Sequence, residues 1–203
     1  MKKLLLATIF VLTAFCVCNS KTKDTSVEKE HVSQVKKSTI GLVIGENGLR
    51  SLRIGMKRSQ IAKKIQGLYD SFSVDEDEME GTLELSFMKN GKVVITGSLD
   101  GNGAIETLTF YIPNAMSADK KLRIGMKVSE AMMRDSYSIV RYYYYPLMME
   151  TPNGHFSFTI SETDITKATL NKFYAHEGEE EFRIKATPSM IKPNAKVSCI
   201  IVK

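Results

Sequence analysis

Between residues 83 and 112 apolar and polar side chains alternate with a period of two. Leu83, Leu85 and Phe87 are interleaved with Glu84 and Ser86, Asn90-Gly91 supplies a type I′ turn, and Val93 to Leu99 returns. Asp100-Gly101-Asn102-Gly103 then turns the chain into Ile105, Leu108, Phe110 and Ile112. The pattern predicts three antiparallel strands with one apolar face, and that face needs a cover. The stripe Ile61, Ile65, Leu68, spaced i, i+4, i+7, predicts a helix over about Arg58 to Tyr69 that supplies it.

A looser version of the same pattern comes next. Ile139-Val140-Arg141-Tyr142-Tyr143-Tyr144-Tyr145 reads as a strand, Pro152-Asn153-Gly154 as a turn, and Phe156, Phe158 and Ile160 alternate away from it. Lys196 to Val202 is the last strand. Between them, residues 162–193 are extra material that predicts a helix or strand and a loop around His176-Glu177-Gly178-Glu179-Glu180-Glu181.

The two patterns are tied together by a repeat. Leu52-Arg53-Ile54-Gly55-Met56-Lys57 returns without change as Leu122-Arg123-Ile124-Gly125-Met126-Lys127, 70 positions later, and Ser59/Ser129 and Gln60/Glu130 extend the match. We read two copies of one unit, residues 40–117 and 118–203, the second carrying the 162–193 insertion. The predicted fold is α+β: two tandem modules, each a short helix packed on an antiparallel meander. Asp135 stands where the first copy has Ile65, so the second helix is expected to end sooner or turn differently. Alternation within the hexapeptide places Ile54, Met56, Ile124 and Met126 inward and Arg53 and Arg123 outward. Gly55 and Gly125 permit a sharp bend, and Gln60 and Glu130 fall where the last residue of a capping box reaches back.

The openings Gly55-Met56-Lys57-Arg58-Ser59-Gln60-Ile61 and Gly125-Met126-Lys127-Val128-Ser129-Glu130-Ala131 resemble the helix-first unit of the BamE/SmpA outer-membrane lipoproteins. Their duplication resembles the tandem modules of the β-lactamase inhibitory protein (BLIP) fold and of two-module secreted lipoproteins from Bacteroides-like bacteria. The family residue after Met is commonly Thr or Ser, and Lys57 and Lys127 depart from it. The resemblance implies a helix-plus-sheet fold over roughly residues 40–203 and a protein partner.

The N-terminus changes the picture of location. Met1-Lys2-Lys3 is a basic opening, and the 14 apolar residues Leu4 to Val17 are too few for a permanent span, so residues 1–18 read as a secretion signal of lipoprotein type. Cys18 and Cys16 end the apolar run, and either is a candidate for lipidation; ordinary cleavage after Cys16, Cys18 or Ser20 is the alternative. Residues 19–39 are polar without a sustained period and read as a flexible tether. The expected location is the bacterial cell envelope, at the outer membrane, with a periplasmic or secreted protein as the alternative.

Composition narrows the function. At 43% apolar and 25% charged the chain is ordinary globular material, and its net charge of +5 forms no basic run interleaved with aromatics, which argues against nucleic acid. Gly41, Gly45 and Gly48 lack the Lys-Ser/Thr of a phosphate loop. Asp75-Glu76-Asp77-Glu78 with Glu80 lacks the spacing of an EF-hand and is expected as a solvated loop. Cys199 is the only cysteine outside the leader, so no metal site, cofactor or small-molecule substrate is inferred. The nearest approach to catalytic chemistry is His176 with Glu177 and Glu179 to Glu181, beside Ser161 and Asp164, on what reads as an exposed loop without a nucleophile motif. Tyr142, Tyr143, Tyr144 and Tyr145 suit binding better, because a strand shows alternate rings on opposite faces. The reading is a non-catalytic, exported, lipid-anchored protein that binds or scaffolds another envelope or secreted protein. A soluble inhibitor-like binder is the first alternative, an enzyme of unknown class the second.

Overall fold

Period-two alternation builds one sheet through both halves of the chain. In the computed structural model, which describes residues 41–77, 82–143 and 146–203, the first half opens with short strands β1 (Val43–Ile44), β2 (Gly48–Leu49) and β3 (Leu52–Arg53). A 3-10 turn over Arg58–Gln60 leads into β4 (Ser71–Asp77), β5 (Thr82–Lys89), β6 (Lys92–Leu99), β7 (Ile105–Phe110) and the short β8 (Met116–Ser117). The second half brings α1 (Val128–Arg134), β9 (Ser138–Tyr142), β10 (Met148–Glu150) and β11 (Ser157–Thr159). It ends with α2 (Lys167–Ala175), β12 (Glu181–Lys185) and β13 (Ile200–Val202). Nine strands form one antiparallel sheet in the order β12-β9-β10-β11-β13-β7-β6-β5-β4. The fold is α+β.

The register gives the sheet two chemically distinct faces. One cross-strand row runs Ile184, Ile139, Met149, Phe158, Ile200, Phe110, Ile95, Phe87, Phe72, apolar from edge to edge. The seven inner members are fully buried, while Ile184 and Phe72 at the two edges are half-buried. The adjacent row, on the other face, runs Lys185, Ser138, Glu150, Ser157, Ile201, Thr109, Thr96, Ser86, Ser73. Six of these nine carry hydroxyls; in the second half this face is buried, at Ser157, Glu150 and Ile201 and at Val140 and Met148 in the next row, while in the first half Thr109, Thr96, Ser86 and Ser73 are half-buried.

Each hexapeptide is bonded to its own half in the same way. Gly55 N donates to Ile105 O at 2.8 Å and Ile105 N to Met56 O at 2.9 Å; Gly125 N donates to Val197 O at 2.8 Å and Val197 N to Met126 O at 2.9 Å. Both glycines take positive φ, 78° and 91°, which only glycine adopts without strain. Arg53, Lys57, Arg123 and Lys127 are exposed and the Leu, Ile and Met side chains turn inward, but of the four residues expected as buried plugs only Ile124 and Met126 are buried, while Ile54 and Met56 are half-buried.

Three expectations change. The helix over Arg58 to Tyr69 does not form; beyond Gln60 the chain proceeds in turns, with Ile61 extended and Gly67 at φ 80°. Ile61 and Leu68 are buried all the same, because turns closed by Leu68 N to Ile65 O and by Tyr69 Oη to Ala62 O present them to the core without a helix nucleus. The short α-helix belongs to the second copy, where Val128 and Ala131 share its buried side. Finally, Asp75, Glu76 and Asp77 are not a loop but the end of edge strand β4, held by pairing along β5; Glu78 and Glu80 lie outside the described residues. The insertion supplies both a helix, α2, and a strand, β12.

Candidate functional site

The hydroxyl face is the broadest feature the sheet presents. Thr109, Thr96, Ser86, Ser73 and Ser138 are half-buried along it, and Ser157 is buried without a hydrogen-bond partner among the described residues. Toward β12 the face acquires charge. Glu150, with its side chain only 9% exposed, accepts from Lys203 Nζ at 2.8 Å, from Arg183 Nη2 at 3.0 Å and from Tyr142 Oη at 3.2 Å. Burial pushes its carboxyl up, but the bonds and charges of Lys203 and Arg183 outweigh that and hold it below the ordinary range. A carboxylate fixed in its ionised form is a permanent acceptor and not a proton donor tuned to neutral pH. Burial and the neighbouring Glu150 push the Tyr142 phenol up, so it stays a neutral donor.

A second feature opens on the core side of the same strands. A cavity of about 540 Å³ is lined by residues of β9, α2 and β12 and of the turns that follow β9 and α2, among them Arg141, Tyr143, Tyr174, His176 and Phe182. Glu162 holds it together: one oxygen takes Arg141 Nη2 at 2.6 Å, the other takes Tyr174 Oη at 2.8 Å. The guanidinium also lies 5.2 Å from the Tyr174 ring centre, a cation–π contact. His176 stacks on Phe182 with ring centres 3.9 Å apart and pairs through Nδ1 with Glu179 Oε1 at 2.8 Å.

A third feature lies at the other end of the sheet, in the first half. A cleft of about 980 Å³ has Ile61, Phe72 and Val74 as its apolar floor and Lys57, Arg58 and Lys63 on its rim. All three cations are exposed.

The strand expected over Ile139 to Tyr145 ends at Tyr142, and Tyr143 stands in the turn that follows it. Tyr142 lies on the hydroxyl face against Glu150, and Tyr143 lines the core-side cavity, half exposed. Tyr144, Tyr145, Cys16, Cys18, the signal and the tether lie outside the described residues. His176, Glu177 and Glu179 do meet in the cavity, with Arg141 and Tyr143 that the sequence did not group with them. Ser161 is instead occupied in its own turn, accepting from Thr163 N at 3.2 Å. Cys199 is buried beside Thr159, its Sγ 3.3 Å from Thr159 Oγ1. Among the described residues no group of three or more His, Cys, Asp or Glu is arranged to hold a metal, and no helix is long and apolar enough to cross a membrane. Sequence reasoning missed Glu150; its one sequence signal is a lone acid in the apolar run Leu147-Met148-Met149-Glu150.

Fold and surface together define an α+β protein built on a single antiparallel sheet with one apolar and one hydroxyl face. No family model matches the chain, and no curated protein matches it. Among solved structures, the uncharacterized protein yfeY from Escherichia coli is similar over 79% of this chain and 98% of its own, at 17% identity and a TM-score of 0.48.

Proposed function

We propose that this is a non-catalytic exported protein of the cell envelope, tethered through a lipid on Cys18 or Cys16, that binds a protein partner across its hydroxyl face. The observation that carries the reading is the row of six Ser and Thr hydroxyls crossing the nine-stranded sheet. Strands spaced about 4.8 Å apart spread its half-buried first-half members, Thr109, Thr96, Ser86 and Ser73, over roughly 14 Å of open sheet, a polar strip and not an enclosed small-molecule pocket. Hydroxyls both donate and accept, which suits a wet interface, and Tyr142 stands at its border as a larger anchor, with Tyr143 offered from the opposite side of the sheet.

The scaffold beneath is two copies of one sheet unit, in which the helix α1 that follows the second hexapeptide is replaced after the first by the 3-10 turn Arg58–Gln60. In support, the hexapeptides make the same backbone bonds, and the two halves meet through their last strands, with Phe110 on Ile200, Thr109 on Ile201 and Leu108 on Val202. That pairing is symmetric about Thr109/Ile201, as expected where two equivalent strands meet around a local twofold axis. The offset between equivalent residues grows from 70 at the hexapeptide to 92 at the last strand, and α2 and β12 occupy the difference.

The double variant Thr96→Lys/Thr109→Lys, with its fold checked by circular dichroism, should lose the envelope partner that the wild type retains on a column. Unchanged retention would sink the binding face. Mass spectrometry of the mature N-terminus tests the tether. An unmodified chain starting at Val17, Asn19 or Lys21 would select the soluble secreted alternative.

A further inference from the structure

The strands of the first half run between two ends of opposite charge. One end is the tip of the β5-β6 hairpin, Lys89-Asn90-Gly91-Lys92. Asp70 N donates to Met88 O at 2.7 Å and Ile65 N to Tyr69 O at 3.1 Å, which brings Lys64 to the same end. Lys64 and Lys92 are exposed and make no ion pair among the described residues, and Lys89 donates to the Gly67 carbonyl. The acid among them is Asp70, whose carboxylate accepts from Asn90 N at 3.0 Å. At the opposite end exposed Asp75, Glu76, Glu84 and Glu106 outnumber Lys57 and Arg58, which the bonds to Ala104 and Gly103 place there.

Apolar surface gathers at the basic end. Alternation from Thr109 puts Tyr111 on the hydroxyl face, and alternation from Ser86 puts Met88 and its partner Val93 there. Tyr111 N donates to Val94 O at 2.9 Å, so Tyr111 and Val93, both exposed, are neighbours on the hairpin side of the hydroxyl strip. Three residues beyond Tyr111, the Asn114 carbonyl lies so close to Gly41 that a Cβ there would find no room, and exposed Val43 follows two residues on. Among the described residues six large apolar side chains are exposed; Tyr143 and Tyr174 line the cavity behind β9 and Met133 is on α1, so half of the six lie at this end. Gly41 is also where the described domain begins, and the residues before it lead back to Cys18 and Cys16.

We propose that this end is a membrane-facing surface: an anionic phospholipid bilayer takes Tyr111, Val93 and Val43 at headgroup depth, while Lys64, Lys89 and Lys92 meet its phosphates. Only the means of arrival rests on the lipid-tethered reading; the surface itself follows from register and exposure. A bilayer is favoured over a protein partner because the root of the tether, the cations and the apolar side chains coincide at one end. A chain held through Gly41 presents that end to the membrane first. Tyrosine joins an apolar ring to a polar tip and suits the boundary between headgroup and acyl chain. Each lysine close to an anionic surface strengthens association about fivefold. The acidic end of the same strands is repelled, so the charge polarity admits one orientation. In that orientation the strands rise from the bilayer, and the Thr109-Thr96-Ser86-Ser73 strip looks sideways and stays open.

Tryptophan is the reporter for the test, since the chain has none of its own. Val93→Trp, and separately Asn102→Trp at the acidic end, are made in the full chain and mixed with vesicles of phosphatidylcholine alone or of phosphatidylcholine with an equal share of phosphatidylglycerol. On the mixed vesicles V93W emission should move to the blue and be quenched by lipids brominated on their acyl chains, and N102W should do neither. Lys64→Glu/Lys92→Glu should remove most of the V93W quenching. High salt should weaken it as well with the lysines in place, so the result does not depend on how the charge variant folds. Flotation of the same samples reports the tether separately. A chain that floats with pure phosphatidylcholine while V93W stays unquenched on mixed vesicles would keep the lipid and overturn the surface. A chain that floats only with mixed vesicles, with V93W quenched, would keep the surface and remove the lipid. Equal quenching at N102W, or quenching indifferent to salt and to K64E/K92E, would overturn the surface, and flotation with neither vesicle would overturn both.

Discussion

The two hexapeptides are the same six residues in the same backbone arrangement, yet they sit at different depths. Leu52 and Leu122 are buried alike, at 0% and 1% exposure. Further along, Ile124 and Met126 are 7% and 3% exposed, while Ile54 and Met56 are only half-buried. The cause is the segment that each copy leads into. After Lys127 comes α1, which sets Val128 and Ala131 into the core at 0% exposure. After Lys57 comes a 3-10 turn made of exposed Arg58, Ser59 and Gln60, whose amide reaches back to Lys57 N at 2.9 Å and closes the turn on itself. Local sequence decides which way a side chain points, and the packing above it decides how much water it loses.

The largest effects should come from that difference. Met126→Ala and Ile124→Ala should each cost about 2–5 kcal/mol in chemical denaturation, because a buried side chain leaves a cavity. Met56→Ala and Ile54→Ala should cost about half as much, since part of their surface already faces water. Leu52→Ala and Leu122→Ala should cost the same as each other. Equal losses at Met56 and Met126 would break the comparison.

The next contrast pairs Glu150 with Ser86, its counterpart on the hydroxyl row about the Thr109/Ile201 centre. Glu150→Gln keeps the shape but strands Arg183 and Lys203. Removing one partner of a fully buried pair costs about 3–5 kcal/mol, and since these cations are 40% and 39% exposed the loss should be nearer 1–2 kcal/mol. Because the native carboxyl is held below its ordinary range, its contribution is complete above the unfolded value and is lost as pH falls through the native one. The gap between wild type and E150Q, followed by urea titration at a series of pH values, should therefore close in acid. Ser86→Ala should show no such pH dependence.

A smaller effect should have the opposite sign. Tyr137 is 3% exposed, and its hydroxyl has no partner among the described residues. The corresponding position before Ser73 is Phe72, just as Tyr137 precedes Ser138. Tyr137→Phe removes an unsatisfied polar atom while keeping the ring against Phe158, so it should raise stability by about 1 kcal/mol. A clear loss in thermal unfolding would mean that the hydroxyl has a water or ligand partner.

The same division between local pattern and distant packing separates the legible parts of the sequence from the rest. The β5-β6-β7 meander was legible because Leu83, Leu85 and Phe87 alternate and because Asn90 and Gly91 tolerate the left-handed angles they adopt, φ 51° and 72°. β4 was not, since Asp75-Glu76-Asp77 has no strand propensity and becomes a strand through seven paired positions along β5. The stripe Ile61, Ile65, Leu68 signalled burial but not a helix, because turns can bury the same residues. The strand from Ile139 to Tyr142 was local and therefore readable, although it ends before Tyr143. The Glu150 cluster was not, because its cations arrive from positions 33 and 53 residues away by a topology no local pattern encodes.

The smallest effect is the one that tests why the hexapeptide is present twice. Arg53 and Arg123 are exposed on the outward side of both copies, with no salt bridge among the described residues. Surface substitutions away from special features fall within about 0.5 kcal/mol, so Arg53→Ala and Arg123→Ala should each stay inside that band in denaturant titrations. They should also match each other, even though the apolar residues beside them differ in depth, because neither guanidinium leaves water on folding. If both hold while M126A is costly, the inward residues alone explain the repeat as a fastening of each copy to its own last strand. A loss at R53A equal to or above that of M56A would mean instead that the outward side is kept for a polar junction or a partner.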